Sequence, residues 1–186
     1  MIIIQKSLGV QTTNEIMAGV KTTSFTGHRP DKLNGYDPKN NKELLWKLRS
    51  FIVEHIEQKN VKTFITGMAL GIDTWAALIV LKLKETYPDI KLIGSVPCQN
   101  HSGKWTKESR DQWQYIIDRC DKVVYVSDEP YTAWCMQKRN EWMCNNSDYV
   151  IAVWNESPGG TGNCVRYAKK LEKEITYLNP KEYEKR

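Results

Sequence analysis

Residues 63–73 read Thr-Phe-Ile-Thr-Gly-Met-Ala-Leu-Gly-Ile-Asp, and this stretch decides the fold class. Its apolar, β-branched start predicts a strand that ends at Gly67, and a second glycine, Gly71, follows four residues later. From Ile72 onward, apolar residues recur at helical spacing, which predicts a helix directly after the loop. A glycine loop at the start of a helix can bring backbone N–H groups close to a phosphate. The stretch therefore predicts a strand–loop–helix unit able to hold an anion.

The same alternation continues along the chain. Apolar helices of ordinary length between short strands are typical of a doubly wound α/β domain with a mostly parallel sheet. We predict a single domain with about five to six strands. The strands are predicted at residues 22–26, 63–66, 91–96, 122–126, 149–154 and 175–178, and the helices at 42–58, from 72 to before Pro88, and at 107–120, 132–146 and 165–174.

Three segments are expected: an N-terminal extension at 1–21, the α/β domain at 22–178 and a charged, solvated tail at 179–186. We interpret the extension as a segment that lies over the core or is partly disordered. An extra strand and an oligomer contact are its alternatives.

Composition and charge exclude several classes of protein. The chain has 186 residues, is 40% hydrophobic and carries a net charge of +5 that is spread along the sequence. Nucleic-acid binding usually shows as a clustered basic patch, so nucleic acid is not an expected partner. The five scattered cysteines favour reduced thiols in the cytoplasm, and no apolar run is long enough to cross a membrane.

The carboxyl ends of the predicted strands define a ligand edge, because ligands of open α/β sheets bind there. The first strand ends at Gly27-His28-Arg29, and Arg29 could fork onto a phosphate or carboxylate. The edge also receives residues from the later strands and the loops after them: Gly67, Met68, Ala69, Gly71, Asp73, Pro97, Gly159, Gly160, Thr161, Gly162 and Asn163.

A second glycine-rich loop strengthens this prediction. Residues 158–163 read Pro-Gly-Gly-Thr-Gly-Asn, and glycines remove side chains where a phosphate or ribose would approach. One such loop could equally be a tight turn without a ligand. Two loops at neighbouring strand ends favour a nucleotide-type ligand.

The absence of several known motifs narrows the reactions and cofactors that we expect. Neither loop matches the dinucleotide fingerprint or the P-loop, and the chain shows no nucleophile elbow and no paired histidines for a metal. We predict no metal and no cofactor. Asp73 is expected to cap its helix or to contact a ribose rather than to do chemistry. Asn140 falls on an apolar helix stripe, where an amide is costly unless hydrogen-bonded.

These residues carry a family resemblance. Residues 66–73 resemble the S/T-G-x-A-x-G-I-D loop of the DNA-processing protein DprA. Residues 158–162 and 136–143 are similar to the P-G-G-x-G and M-x-x-R-K-x-x-M segments of the LOG ("Lonely Guy") phosphoribohydrolases. Both families belong to the SLOG superfamily of Rossmann-like domains. The segment Thr26-Gly27-His28-Arg29-Pro30, with Pro97 and Trp105, most resembles its YpsA-type branch.

The resemblance covers about residues 22–178 and implies a Rossmann-like fold with a nucleotide pocket between the two glycine loops. It also implies that Arg139 faces this pocket. In LOG enzymes a glutamate closely follows the P-G-G-x-G-T motif, whereas residues 162–166 here contain no acid. Arg139, Glu141 and Glu156 are the remaining candidates for a catalytic role.

Our first hypothesis is therefore the sensing or sequestering of a nucleotide-derived small molecule, such as an ADP-ribose-type ligand. Arg29, Arg139 and Asn140 would join the glycine loops in binding it. The alternatives are an N-glycosidic hydrolase or transferase acting on a nucleotide, and single-stranded DNA binding like that of DprA. Related domains commonly self-associate, so we also expect a homo-oligomer.

Overall fold

A single parallel sheet organises the chain in the computed structural model, which describes residues 4–6 and 21–183. Every pair of neighbouring strands is parallel, and the spatial order is β1-β5-β4-β3-β2-β6-β7. The strands are β1 (Ile4–Lys6), β2 (Lys21–Gly27), β3 (Val61–Thr66), β4 (Lys91–Val96), β5 (Lys122–Tyr125), β6 (Tyr149–Val153) and β7 (Glu174–Leu178).

Helices cover both faces of this sheet. The largest apolar cluster packs the first three helices on one face, and two smaller clusters pack the last two helices on the other. The helices are α1 (Lys42–Gln58), α2 (Ile72–Leu83), α3 (Lys107–Ile117), α4 (Ala133–Asn145) and α5 (Gly160–Lys170). Short 3-10 helices span Pro30–Lys32, Pro38–Asn41 and Pro180–Tyr183.

This architecture confirms the predicted Rossmann-like α/β class. The central strands are buried along most of their length, as parallel strands covered on both faces require. The six strands β2–β7 match the prediction, and the three-residue β1 adds a further strand beside β5. The remaining predictions for the extension concern residues 1–3 and 7–20, which lie outside the described residues.

The strand order fixes the position of the ligand edge. The chain runs outward from β2 through β3 and β4 to β5, then returns to the other side of β2 with β6 and β7. The direction of winding therefore reverses between β2 and β6. Such a switch point opens a crevice at the carboxyl ends of its two strands.

Several helix boundaries differ from the sequence prediction. α2 ends at Leu83 instead of just before Pro88, α3 ends at Ile117 instead of residue 120, and α5 ends at Lys170 instead of residue 174. α5 begins at Gly160 instead of residue 165, so the second glycine loop forms the first turn of the helix. Glycine disfavours helix interiors, but packing at the sheet edge overrides this weak preference. The tail was expected to be solvated from residue 179, yet Pro180 is buried and the carbonyl of Tyr183 accepts a hydrogen bond from Asn34. Residues 184–186 lie outside the described part of the chain.

His55 joins α1 to two strands of the sheet. Its Nδ1 lies 2.8 Å from the hydroxyl of Thr23, and its Nε2 lies 3.0 Å from that of Thr176. The ring is fully buried, and burial lowers the pKa of His55 to about 4. The folded protein consequently keeps this ring neutral at pH values where the unfolded chain protonates it.

Acid should therefore destabilise the fold between about pH 6.5 and about pH 4. Because the folded pKa of His55 lies below its unfolded value, its contribution falls by about 2 kcal/mol between pH 7.5 and 5.0. We expect urea unfolding to show a shallower pH dependence for His55→Gln than for the wild type. Parallel pH profiles for the two proteins would contradict this role.

Candidate functional site

A cavity of about 380 Å³ opens at the carboxyl ends of β2 and β6, between α4 and the first turn of α5. It lies at the switch point of the sheet. The predicted ligand residues that line it are Gly27, His28, Arg29, Ala69, Asp73, Arg139, Asn140, Gly159, Gly160, Thr161 and Asn163. The further lining residues are Phe25, Thr26, Asp31, Lys32, Tyr131, Met136, Gln137, Met143 and Pro158.

Five predicted ligand residues are not part of the cavity lining. Met68 packs into the apolar core, although its backbone is left-handed with φ of 59°. Gly67, Gly71, Pro97 and Gly162 are also buried away from it. The first glycine loop thus contributes to the cavity mainly through Ala69 and Asp73.

A buried ion pair explains this arrangement. Arg139 of α4 donates from Nη1 to Oδ2 of Asp73 at 3.0 Å, and the two side chains are only 5% and 6% exposed. The N–H of Ala69 also donates to Oδ2, at 3.4 Å. Burial raises the pKa of Asp73, and the neighbouring guanidinium opposes that rise. The pair fastens the first glycine loop to α4.

Gly67 is required by this ion pair. A Cβ at position 67 would lie 1.4 Å from Nη1 of Arg139 and 2.6 Å from Oδ2 of Asp73. The guanidinium therefore occupies the space next to Gly67 in which the sequence predicts a phosphate or ribose. Among the described residues, the buried Nε atom of Arg139 has no hydrogen-bond partner.

Gly71 has a similar internal role. Its φ of 89° is left-handed, and a Cβ there would lie 2.6 Å from the carbonyl oxygen of His28. The next residue, Ile72, donates its N–H to that same oxygen at 3.3 Å. The glycine thus lets the start of α2 approach the loop that follows β2.

The second glycine loop differs because it is open. Gly159 has φ of 134° and is the N-cap of α5. Within residues 4–6 and 21–183, no side chain caps this helix, and a Cβ on Gly160 would have no heavy atom within 4 Å. Lys32 stands beside it, with Nζ 3.1 Å from the carbonyl oxygen of Pro158. An anion can bind here for three reasons. The first N–H groups of α5 point out of the helix, the helix dipole is positive at this end, and the ammonium group of Lys32 is close by.

Asn140 connects α4 to this second loop. It is buried, as its place on the apolar stripe predicted, and its Nδ2 donates to the carbonyl of Gly160 at 3.4 Å. Two adjacent residues of α4 therefore contact different glycine loops, Arg139 the first and Asn140 the second.

Two histidines support the site with neutral rings. Nε2 of His28 lies 2.7 Å from Oδ1 of Asn155, which ties the loop after β2 to the end of β6, and burial lowers the pKa of His28. His101 lies 3.1 Å from the carbonyl oxygen of Met68. Burial, reinforced by Arg139, lowers the pKa of His101 to about 4.

The acidic candidates for catalysis do not line the cavity. Glu141 is half-buried and accepts a hydrogen bond from Gln137 at 2.9 Å, and Glu156 is exposed at a left-handed turn. The carboxylates that do line it are Asp31 and Asp73. Within residues 4–6 and 21–183, no cluster of three His, Cys, Asp or Glu side chains is placed to hold a metal ion.

Gly67→Ala should destabilise the fold by about 2 kcal/mol or more, because the new Cβ must displace the guanidinium. The same substitution should cost less than about 1 kcal/mol in an Asp73→Ala/Arg139→Ala background, where both obstructing side chains are gone. Denaturant unfolding of the four proteins measures the coupling. Gly160→Ala is the matched control, and it should not destabilise an open helical position.

Equal costs of Gly67→Ala in the two backgrounds would contradict the assignment of this glycine to the ion pair.

The amino-acid sequence is similar to those of two bacterial proteins over most of their length. The chain is 34% identical over 143 residues to the SPbeta prophage-derived protein YoqJ of Bacillus subtilis, covering 71% of this chain and 81% of that protein. It is 30% identical over 145 residues to a UPF0398 protein of Brevibacillus brevis, covering 76% and 77% respectively.

The fold is similar to that of DNA processing protein A. The protein from Helicobacter pylori, which has a described single-stranded DNA binding mode, superposes with a TM-score of 0.61 at 20% identity, covering 89% of this chain and 68% of that one. DprA from Streptococcus pneumoniae gives 0.60 at 16% identity, covering 86% of this chain and half of that one. At identities this low, the two superpositions show a shared fold and no more.

The family model for YpsA, described as the YspA SLOG family, matches residues 23–182. This match spans nearly all of the α/β domain and confirms the resemblance carried by the two glycine loops and the Gly27-His28-Arg29-Pro30 segment. The chain belongs to the YspA SLOG family.

Proposed function

We propose that this protein binds a nucleotide or a nucleotide-derived small molecule, such as an ADP-ribose-type ligand, in the cavity between β2, β6, α4 and α5. The observation that carries the proposal is the uncapped first turn of α5, where Gly160 leaves open space beside the helix N-terminus. A phosphate group would accept hydrogen bonds from the backbone N–H groups there.

The charges around the cavity support an anionic ligand. Asp73 already balances Arg139, so the remaining charged side chains of the lining are Arg29, Lys32 and Asp31. Two cations against one carboxylate leave a positive excess in the cavity, and Lys32 lies next to the start of α5. A phosphate would find its opposite charge at the same end of the cavity as its hydrogen-bond donors.

The other lining residues suit a ribose and base. Half-buried Met136 provides apolar surface, Phe25 and Met143 are buried side chains of the cavity wall, and Tyr131 presents an exposed ring at the mouth. Aromatic rings stack readily on the flat faces of bases. The amide of Gln137 supplies a donor and an acceptor for the edge of a base.

The volume favours a small ligand. At about 380 Å³, the cavity lies near the lower end of the roughly 300–1,000 Å³ found for small-molecule sites. A mononucleotide-sized group would fill it, and a longer ligand would extend past Tyr131 into solvent.

Binding is favoured over hydrolysis of a glycosidic bond. Such hydrolysis usually needs one carboxyl group to assist the leaving group and another to activate water or attack the sugar. Asp73 is held by Arg139, and Glu141 and Glu156 lie off the cavity lining, which leaves Asp31 as a single carboxylate where two are needed. Cleavage is therefore the alternative that the binding experiment has to detect.

Single-stranded DNA should also be tested as a ligand in the binding experiment. The likeness to DprA weakens the expectation that nucleic acid is not a partner, although a shared fold does not transfer a function. Single-stranded DNA would require a binding surface that continues beyond the cavity mouth.

A cytoplasmic location is part of the proposal. The five cysteines are all buried and free, which suits a reducing compartment. Among the described residues, no helix is both long and apolar enough to span a membrane.

Gly160→Asp should weaken the binding of AMP and ADP-ribose at least about 10-fold, because a carboxylate at the first turn of α5 repels the phosphate. Gly160→Asn has nearly the same shape without the charge, and it should retain affinity within about 3-fold. Isothermal titration calorimetry measures both. The open space at position 160 and its ordinary φ allow both variants to fold.

Equal affinities of the two variants would contradict the site. Chromatography of the recovered ligand tests cleavage, since intact nucleotide supports binding alone and free base would establish the glycosidase. A titration with oligo-dT at two salt concentrations forms the third arm, and a steep loss of affinity with salt would reveal DNA binding.

A further inference from the structure

A groove on the outer side of α1 and α2 has no role in the nucleotide site. We name it the α1 groove, and it has a volume of about 480 Å³. Trp46, one of its lining residues, is 64% exposed, which is unusual for so large an apolar side chain. The residues that line the groove are Pro38, Lys39, Lys42, Leu45, Trp46, Arg49 and Ile79.

The charges of the α1 groove are all positive. Lys39, Lys42 and Arg49 are exposed, and no carboxylate is part of its lining. In the part of the chain that the structure describes, none of these three side chains forms an ion pair. An occupant that fits the groove therefore combines negative charge with an apolar side chain.

The same chain carries a segment of that chemistry. Residues 128–134, which we name the acidic loop, connect β5 to the first turn of α4 and read Asp-Glu-Pro-Tyr-Thr-Ala-Trp. Asp128 and Glu129 are exposed and form no ion pair among the described residues. Tyr131 and Trp134 are 52% and 63% exposed.

We propose that a second copy of this chain docks its acidic loop into the α1 groove of the first. The carboxylates of Asp128 and Glu129 would face Lys42 and Arg49, and an aromatic ring of the loop would pack against Trp46. Both surfaces leave large aromatic side chains in water, and Trp, Tyr and Arg are the residues that most often dominate binding energy at interfaces.

The fold makes this contact intermolecular. The α1 groove lies on the face of the sheet covered by α1, α2 and α3, whereas the acidic loop leads into α4 on the opposite face. Because the two surfaces lie on opposite faces of the sheet, one pair of copies would not make both contacts at once, and we expect the contact to be head-to-tail. Such contacts close into a ring or continue as a filament, depending on the rotation between copies.

The contact would also reach the nucleotide cavity. Tyr131 belongs both to the acidic loop and to the lining of the cavity mouth. A neighbouring copy seated on the acidic loop would therefore cover part of the mouth.

Charge reversal with rescue tests the proposal. Sedimentation velocity of the wild type should show an assembly that grows with protein concentration and dissociates at high salt. Lys42→Glu/Arg49→Glu and Asp128→Lys/Glu129→Lys should each be monomeric at concentrations where the wild type assembles. A 1:1 mixture of the two double variants should assemble again, because each reversed surface then finds a complementary partner.

One matched control variant and a folding check keep the test specific. Lys104→Glu/Lys170→Glu changes the net charge as much as the groove variant, but at exposed positions outside both surfaces, and it should assemble like the wild type. Thermal melts confirm that each variant is folded. Because the experiment needs no nucleotide, its result is independent of the proposed ligand.

The proposal is overturned if the wild type stays monomeric at every concentration or if the mixed variants fail to assemble. If hexaglutamate quenches the tryptophan emission of a monomeric wild type but not that of Trp46→Phe, the groove belongs to a different acidic partner, which would equally overturn the proposal. Assembly that both double variants retain would place the interface elsewhere on the molecule.

Discussion

The candidate site depends on one buried interaction, the ion pair between Asp73 and Arg139. It joins the first turn of α2 to α4, so that two residues 66 positions apart in the sequence connect helices on opposite faces of the sheet. Removing one partner of such a pair typically costs about 3–5 kcal/mol, because the other charge remains buried. The interaction therefore holds the cavity walls at a fixed separation and explains why position 67 must be glycine.

Most helices and strands of the fold can be predicted from the regular spacing of apolar residues in the sequence. The predicted bounds of α1 and β4 agree with the structure because each is a long, regular apolar pattern bordered by polar or turn residues. The start of α5 was missed because three glycines suggest a loop, whereas the sheet edge imposes a helical turn on them. The buried end of the chain was missed because a charged segment can still bury a single proline.

The candidate site was only partly predictable. Both glycine loops look like phosphate loops in the sequence, yet the first is filled by the guanidinium of Arg139 and only the second is open. Spacing along the chain cannot show that a side chain from a distant helix occupies a loop. Lys32 and Tyr131 were missed because each lies in a segment without a motif, and Gln137 was missed because it occupies a variable position of the motif at 136–143. Lys32 nevertheless follows Arg29 closely, and the proximity of two cations at a strand end was a usable signal.

Ligand binding at the open start of α5 and at the guanidinium of Arg139 is tested most directly by a ¹⁵N NMR titration with ADP-ribose. Among the residues that the structure describes, Nε of Arg139 has no partner and the first N–H groups of α5 have no side-chain cap. We expect the largest shifts at the amides of Gly160 and Thr161 and at the Nε–H of Arg139. Saturating ligand that leaves these three resonances unmoved, or that shifts only residues of the α1 groove, would contradict binding at this site.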